Sequence, residues 1–162
     1  MSQTSEVDII VASSQEIDAV QSLWREYWDS LGLPQDFQGF CEEVKTLPGL
    51  YAPPRGRLLL ALVRGNPAGT AALRPLSAYS CEGKRLYVRP QYRGEGVGGS
   101  LLHRLVEEAR SAGYREMYGD TLKSMTAALK MYREAGFSEV SPYSSNPTPG
   151  AIFLKLSFLS ER

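Results

Sequence analysis

Four glycines crowd six positions between a basic, strand-like segment and an apolar helical period. The run reads Gln91-Tyr92-Arg93-Gly94-Glu95-Gly96-Val97-Gly98-Gly99-Ser100. Without Cβ atoms the backbone there can turn tightly and bring successive N–H groups together as a cradle for an anion. The helix that follows adds its unpaired first-turn amides and the positive end of its dipole. A strand, such a turn and a helix start, met in that order, make a place that holds phosphate. Any fold for this chain must therefore present a strand end and a helix N-terminus to one open groove.

Lys84, Arg85, Arg89 and Arg93 lead into the turn with no acid among them, which suits a ligand with several negative charges. They belong to a wider segregation. The 162 residues carry 18 basic and 18 acidic side chains. Residues 1–50 hold two basic and nine acidic ones, a charge of −7, whereas residues 51–93 hold eight basic and one acidic, a charge of +7. A total of zero argues against a nucleic-acid or membrane-surface binder, which needs many clustered cations. No apolar run nears the roughly 20 residues of a spanning helix, and the first six residues lack the basic and apolar parts of a signal peptide. Cys41 and Cys81 are too few for a disulfide framework, and no Cys/His set has metal-ligand spacing. Two reduced thiols, a cytoplasmic location and no metal are the expectation.

Caps and hydrophobic periods divide the chain. Residues 6–12 read as a strand, Ser13 and Glu16 as a capping box, and Ile17, Val20, Leu23, Trp24, Tyr27 and Leu31 as one face of a helix closed by Gly32. A shorter helix is expected over 36–46. Strands then follow at 57–64, 68–76 and 79–89, with a turn at 65–67. Leu101, Leu102, Leu105, Val106 and Ala109 mark a helix over 97–112, ended by Gly113. A strand at 114–121, a helix at 124–135 and strands at 137–140 and 151–158 complete the order β-α-α-β-β-β-α-β-α-β-β. With no repeat and no linker composition, one α+β domain with a mixed sheet is expected over 1–162, its first five residues disordered.

Two phosphate-binding patterns fit the glycines. Gly94-x-Gly96-x-x-Gly99 matches the dinucleotide fingerprint, with Asp120 near the place of its ribose-binding acid. That reading requires a buried apolar strand in a doubly wound parallel sheet, and this strand carries three cations. The second pattern is Arg93-x-x-Gly96-x-Gly98, with Leu86-Tyr87-Val88 before it and Tyr132-Arg133-Glu134-Ala135-Gly136-Phe137 after it. In these motifs, over residues 80–140, the chain resembles the GNAT superfamily of acyl-CoA-dependent N-acyltransferases. Its element order is consistent with that family over 6–158, and Tyr143, Asn146-Pro147, Gly150 and Phe153 resemble small bacterial members.

The resemblance implies an α/β/α-layered GNAT fold and an N-acetyltransferase that uses acetyl-CoA as acyl donor, bound where strands 79–89 and 114–121 splay apart. Leu86 and Val88 match the positions that pair with pantetheine. Arg93, Gly94, Gly96, Val97 and Gly98, with Gly99 and Ser100 nearby, match the pyrophosphate loop. Tyr132 matches the family's general acid for the departing thiolate, a backbone amide near Leu86 its oxyanion donor, and Glu82 a candidate base, with a water relay as the alternative. Met125 stands where many members carry Asn, with Ser124 beside it. In related folds the first two helices wall the acceptor site. Here Asp29, Asp36, Glu42 and Glu43 alternate with Trp24, Tyr27, Trp28, Phe37 and Phe40, which suits a cationic primary amine of a small molecule or peptide as well as it suits a packed core under a solvated face. Tyr51, Tyr143 and the loop 142–149 would close the other side, and strand 151–158 is apolar enough to pair in a homodimer. A GNAT module that binds acyl-CoA without catalysis, and a dinucleotide-dependent oxidoreductase, are the other classes left open.

Overall fold

The computed structural model describes residues 6–32, 39–144 and 150–158. Asp36, Phe37, residues 1–5 and Asn146-Pro147 therefore lie outside the described residues. Seven strands form one sheet: β1 (Val7–Val11), β2 (Arg57–Val63), β3 (Asn66–Pro75), β4 (Ser80–Val88), β5 (Glu116–Leu122), β6 (Ser138–Val140) and β7 (Ala151–Ser157). Their spatial order is β1-β2-β3-β4-β5-β7-β6.

Helices cover both faces. α1 (Ile17–Leu31) and α2 (Phe40–Lys45) pack on one, and α3 (Val97–Ser111) and α4 (Thr126–Glu134) on the other. This explains why β2 reads as an unbroken apolar run. Leu58 and Leu60 enter the core under α1, while Leu59, Ala61 and Val63 enter the core under α3, so neither face meets water. The Ser13–Glu16 capping box forms as expected, and Gly32 ends α1 in the left-handed conformation at φ +67°. The shorter helix begins at Phe40 among the described residues. The β2–β3 turn is tighter than expected: Arg64 and Gly65 both take positive φ, as a two-residue hairpin requires, and β3 starts at Asn66.

The pairing of β4 with its two neighbours positions the site. β4 is antiparallel to β3 and parallel to β5. The parallel register runs only from Ser80↔Glu116 to Gly83↔Gly119. Beyond it β4 continues beside β3 and β5 continues beside β7, so the two strands open into a V. A bulge accompanies the opening: Thr70 pairs with Tyr87 and Ala72 with Lys84, so Ala71 alone faces Arg85 and Leu86. Arg85 takes φ +62° there. An extra residue of this kind bends its strand and re-aims its side chains. The antiparallel β3–β4 pair also removes the doubly wound parallel sheet that a dinucleotide site needs. At the C-terminal end, β7 lies between β5, which pairs along its whole length, and β6, which pairs only with Phe153 to Lys155.

Candidate active site

The V opens into a groove of about 500 Å³ between β4, the glycine turn and α4. Leu86, Val88, Arg93, Gly94, Gly96, Val97, Gly98 and Gly99 all line it. Ser100 does not; its N–H is already spent on the carbonyl of Gly96 as the first full helical bond of α3. Gly96 caps that helix at φ +81° with no side-chain acceptor, so the amides ahead of Ser100 keep their donors for a ligand. Gly98 serves another need: a Cβ there would come within 3.0 Å of Met131 Sδ on α4. The far wall is made by Ser124, Met125 and the first turn of α4.

Of the four cations that precede the turn, only Arg93 lines the groove. Its Nε donates to the Val88 carbonyl at 2.9 Å and its guanidinium lies 5.8 Å from the Tyr87 ring. Arg89 is drawn to α1, where it pairs with Glu26 at 2.6 Å. Lys84 and Arg85 turn into the protein on the other side of the V.

Tyr132 sits at the apex of the V, 4% exposed, its ring edge-on to Phe137 at 5.1 Å and about 3.6 Å from where a Cβ on Gly119 would stand. Its hydroxyl makes no hydrogen bond among the described residues, and the side chain lines a cavity of about 40 Å³ with Tyr27, Lys84, Arg85, Leu86 and Asp120. Burial first, then the neighbouring Tyr27, Asp120 and Glu82, push the phenol above its ordinary pKa. It therefore stays protonated at neutral pH and beyond.

Past that cavity lies a polar pocket of about 230 Å³, lined by Glu43, Arg74, Glu82, Lys84, Arg85, Asp120 and Ser144. Glu82 is 2% exposed. It takes Arg74 Nε at 3.1 Å on Oε1 and the Tyr143 hydroxyl at 2.7 Å on Oε2, with Lys84 Nζ at 3.9 Å. Lys84, Arg85 and Asp120 line both the polar pocket and the small cavity, whereas Glu82 lines only the polar pocket. Groove, cavity and pocket thus follow one another through the V.

The aromatic wall has a different role from the one anticipated. Trp28 and Phe40 stack at 4.2 Å, and the Arg85 guanidinium lies within 5.1–5.5 Å of the Trp24, Trp28 and Phe40 rings. Glu43, itself held by the Tyr51 hydroxyl at 2.7 Å, forms the ion pair with Arg85. The wall encloses a cation of the chain, and Asp29 and Glu42 are exposed. His103 is exposed too, and Cys81 is no nucleophile: burial, then Glu82, push its thiol up to about 12.

Arg74, Lys84, Arg85 and Asp120 were not singled out for this pocket from the sequence. Part of the signal was present: Glu82 and Lys84 share a face of β4 by the two-residue period of a strand. Arg74 is the register partner of Glu82, which only the sheet reveals.

A model of the acetyltransferase (GNAT) family matches residues 17–137. The chain belongs to that family. It is an acyl-CoA-dependent N-acetyltransferase. An uncharacterised N-acetyltransferase of Schizosaccharomyces pombe is 33% identical over 88% of this chain and 88% of its own length. One of Dictyostelium discoideum is 28% identical over 91% of this chain and 97% of its own length. Both are eukaryotic, so the resemblance is not confined to bacterial members. Among solved structures, a GNAT-family acetyltransferase of Staphylococcus aureus Mu50 superposes with a TM-score of 0.79 at 18% identity, covering 94% of this chain and 99% of that one. The yncA protein of Salmonella typhimurium, solved with its cofactor acetyl-CoA, gives 0.69 at 20% identity over 96% of each chain. These likenesses establish the GNAT fold. Among the described residues no helix is long and apolar enough to cross a membrane.

Proposed function

We propose that the groove binds acetyl-CoA and that its acetyl group passes directly, in a ternary complex, to a primary amine held in the polar pocket. The observation that carries this reading is the succession of groove, Tyr132 cavity and polar pocket through one V-shaped opening. The exposed edge of β4 at Leu86 and Val88 offers backbone groups to pantetheine. The uncapped start of α3 offers its amides to the pyrophosphate, and Arg93 adds a positive charge beside it.

The amine nitrogen attacks the thioester carbonyl, a C–N bond forms and the C–S bond breaks. The leaving thiolate takes the proton of Tyr132, and the proton lost by the amine passes to Glu82. Because Glu82 lines the pocket but not the Tyr132 cavity, a water relays that proton. Leu86, which borders both groove and cavity, supplies the backbone donor for the developing oxyanion. A cationic acceptor loses much of its motive, since the aromatic rings meant for it enclose Arg85. A homodimer would use the edge of β6 that is unpaired among the described residues, and a chain with only two cysteines, Cys41 and Cys81, suits a cytoplasmic setting.

Tyr132→Phe tests the assignment. Its kcat is expected to fall by about 10²–10⁴, the span of general acid catalysis, with acetyl-CoA affinity unchanged. A variant as fast as wild type removes Tyr132 from the chemistry. Acetyl-CoA binding with no turnover on a broad amine panel would favour a non-catalytic module instead.

A further inference from the structure

The two glutamates of the polar pocket do not match all of its cationic N–H groups. Both oxygens of Glu82 are taken, Oε1 by Arg74 and Oε2 by Tyr143, and so are both oxygens of Glu43, by Arg85 and Tyr51. The cations are not matched in return. Arg74 places Nε and one terminal nitrogen on the same Glu82 oxygen, both at 3.1 Å, which leaves its other terminal nitrogen unspent among the described residues. Lys84 is only 12% exposed, yet its ion-pair partner Glu82 is 3.9 Å away, past hydrogen-bond reach. Among the described residues its ammonium makes no hydrogen bond at all. Arg85 Nε is buried and makes no hydrogen bond among the described residues.

Desolvated cations with idle N–H groups are costly, and the cost is removed when a ligand brings an anion to them. Burial, opposed by Glu82, lowers the Lys84 pKa and shows that this cost is felt. Asp120, like Lys84 and Arg85, lines both the pocket and the cavity that holds Tyr132. Three cations and three carboxylates line the pocket, so it carries both signs and no excess of either. Such a lining matches a dipolar ligand.

We infer that the acceptor is a free amino acid, its carboxylate held by Lys84 and Arg74 and its amino group directed past Asp120 into the cavity under Tyr132. The inference rests on the proposed transfer to an amine and names its substrate class. The pocket's 230 Å³ is the share of roughly seven or eight waters at about 30 Å³ each, which admits a small molecule. A peptide N-terminus lacks the adjoining carboxylate. A polyamine would set a second ammonium against Lys84 and Arg74.

The test uses the full chain with acetyl-CoA, the twenty common L-amino acids and β-alanine, each beside its primary amide and its decarboxylated amine, with N-acetyl product measured by mass. At least one acid is expected to exceed its own amide and amine by about a hundredfold or more in kcat/KM, the range for a site whose polar groups are left unpaired by the analogue. Lys84→Met and Arg74→Gln should each shrink that preference about tenfold; because Arg74 also holds Glu82, its variant is read as the ratio of acid to amide, in which a general loss of rate cancels. Amides or simple amines used as well as acids, or a preference intact in both variants, overturns the inference while leaving the transferase standing. No acetylation of any amine, with acetyl-CoA bound, overturns the proposed function as well.

Discussion

The hydroxyl of Tyr143 donates to Oε2 of Glu82 across 2.7 Å, joining the segment after β6 to the first part of β4. The Tyr143 ring is fixed by Tyr118 at 4.8 Å and by Phe153 edge-on at 5.3 Å, so β5 and β7 aim the hydroxyl. Burial, then the Glu82 charge, raise the Tyr143 pKa far above the ordinary phenol value, and the group remains a donor at any working pH. The candidate base is thus held from two directions, by Arg74 on the neighbouring strand and by Tyr143 from the far side of the V.

Tyr143→Phe removes one of those holds and leaves the ring packing in place. A hydrogen bond to a charged group is worth about 2 kcal/mol, so Tm is expected to fall by about 5 °C in a chain of this length. kcat/KM should fall about tenfold while acetyl-CoA affinity stays the same, since Tyr143 does not line the groove. Isothermal titration and steady-state rates on one preparation check both. Equal activity would show that Glu82 needs no second anchor.

Local chemistry was legible in the sequence because each signal lay within a few residues. Ser13 and Glu16 announce the start of the first helical segment, the apolar Leu58–Val63 run announces a strand, and Gly94 to Gly99 announce the groove. Arg85 was not legible. Its positive φ follows from a bulge set by pairing with β3, and a residue with this side chain gives no local hint of it. The charge blocks were visible but their meaning was not, because sequence shows no distances. Part of the −7 and +7 segregation resolves into two pairs across the fold, Glu26 with Arg89 and Glu43 with Arg85. The contacts of Arg74 and Tyr143 with Glu82 join residues 8 and 61 positions apart, and these again come only with the sheet.

Gly96 tests the phosphate cradle apart from the chemistry. Nothing lies within 4 Å of where its Cβ would be, so space is not the constraint; φ +81° is. A side chain in that conformation costs roughly 1–2 kcal/mol. The strain is relieved by shifting the first turn of α3, which misaligns the amides of Val97 and Gly98. Gly96→Ala is therefore expected to weaken acetyl-CoA binding about tenfold and to lower Tm by a few degrees, with kcat at saturating acetyl-CoA nearly unchanged. A variant that binds acetyl-CoA as wild type does would take the helix start out of the recognition.

Glu43 links the polar pocket to stability at acid pH. Burial alone would raise its pKa, but the charge and hydrogen bond of Arg85 and the hydrogen bond of Tyr51, with Lys84, outweigh burial and hold the carboxyl below its ordinary value of 4.5. The unfolded chain then binds a proton at Glu43 more readily than the folded one. Stability from this pair is complete above about pH 4.5 and is lost as pH falls through the lower folded value. Glu43→Gln cannot titrate and leaves Arg85 in its aromatic cage without a counter-charge. Breaking a buried pair costs about 3–5 kcal/mol. Glu43 is 20% exposed and glutamine retains an acceptor, so a loss of about 2 kcal/mol is expected at pH 7. Urea unfolding of both proteins at pH 7 and at about pH 3 should show the gap closing at the lower value. A gap of the same size at both would mean that the ion pair, for all its burial, does not set the acid limb.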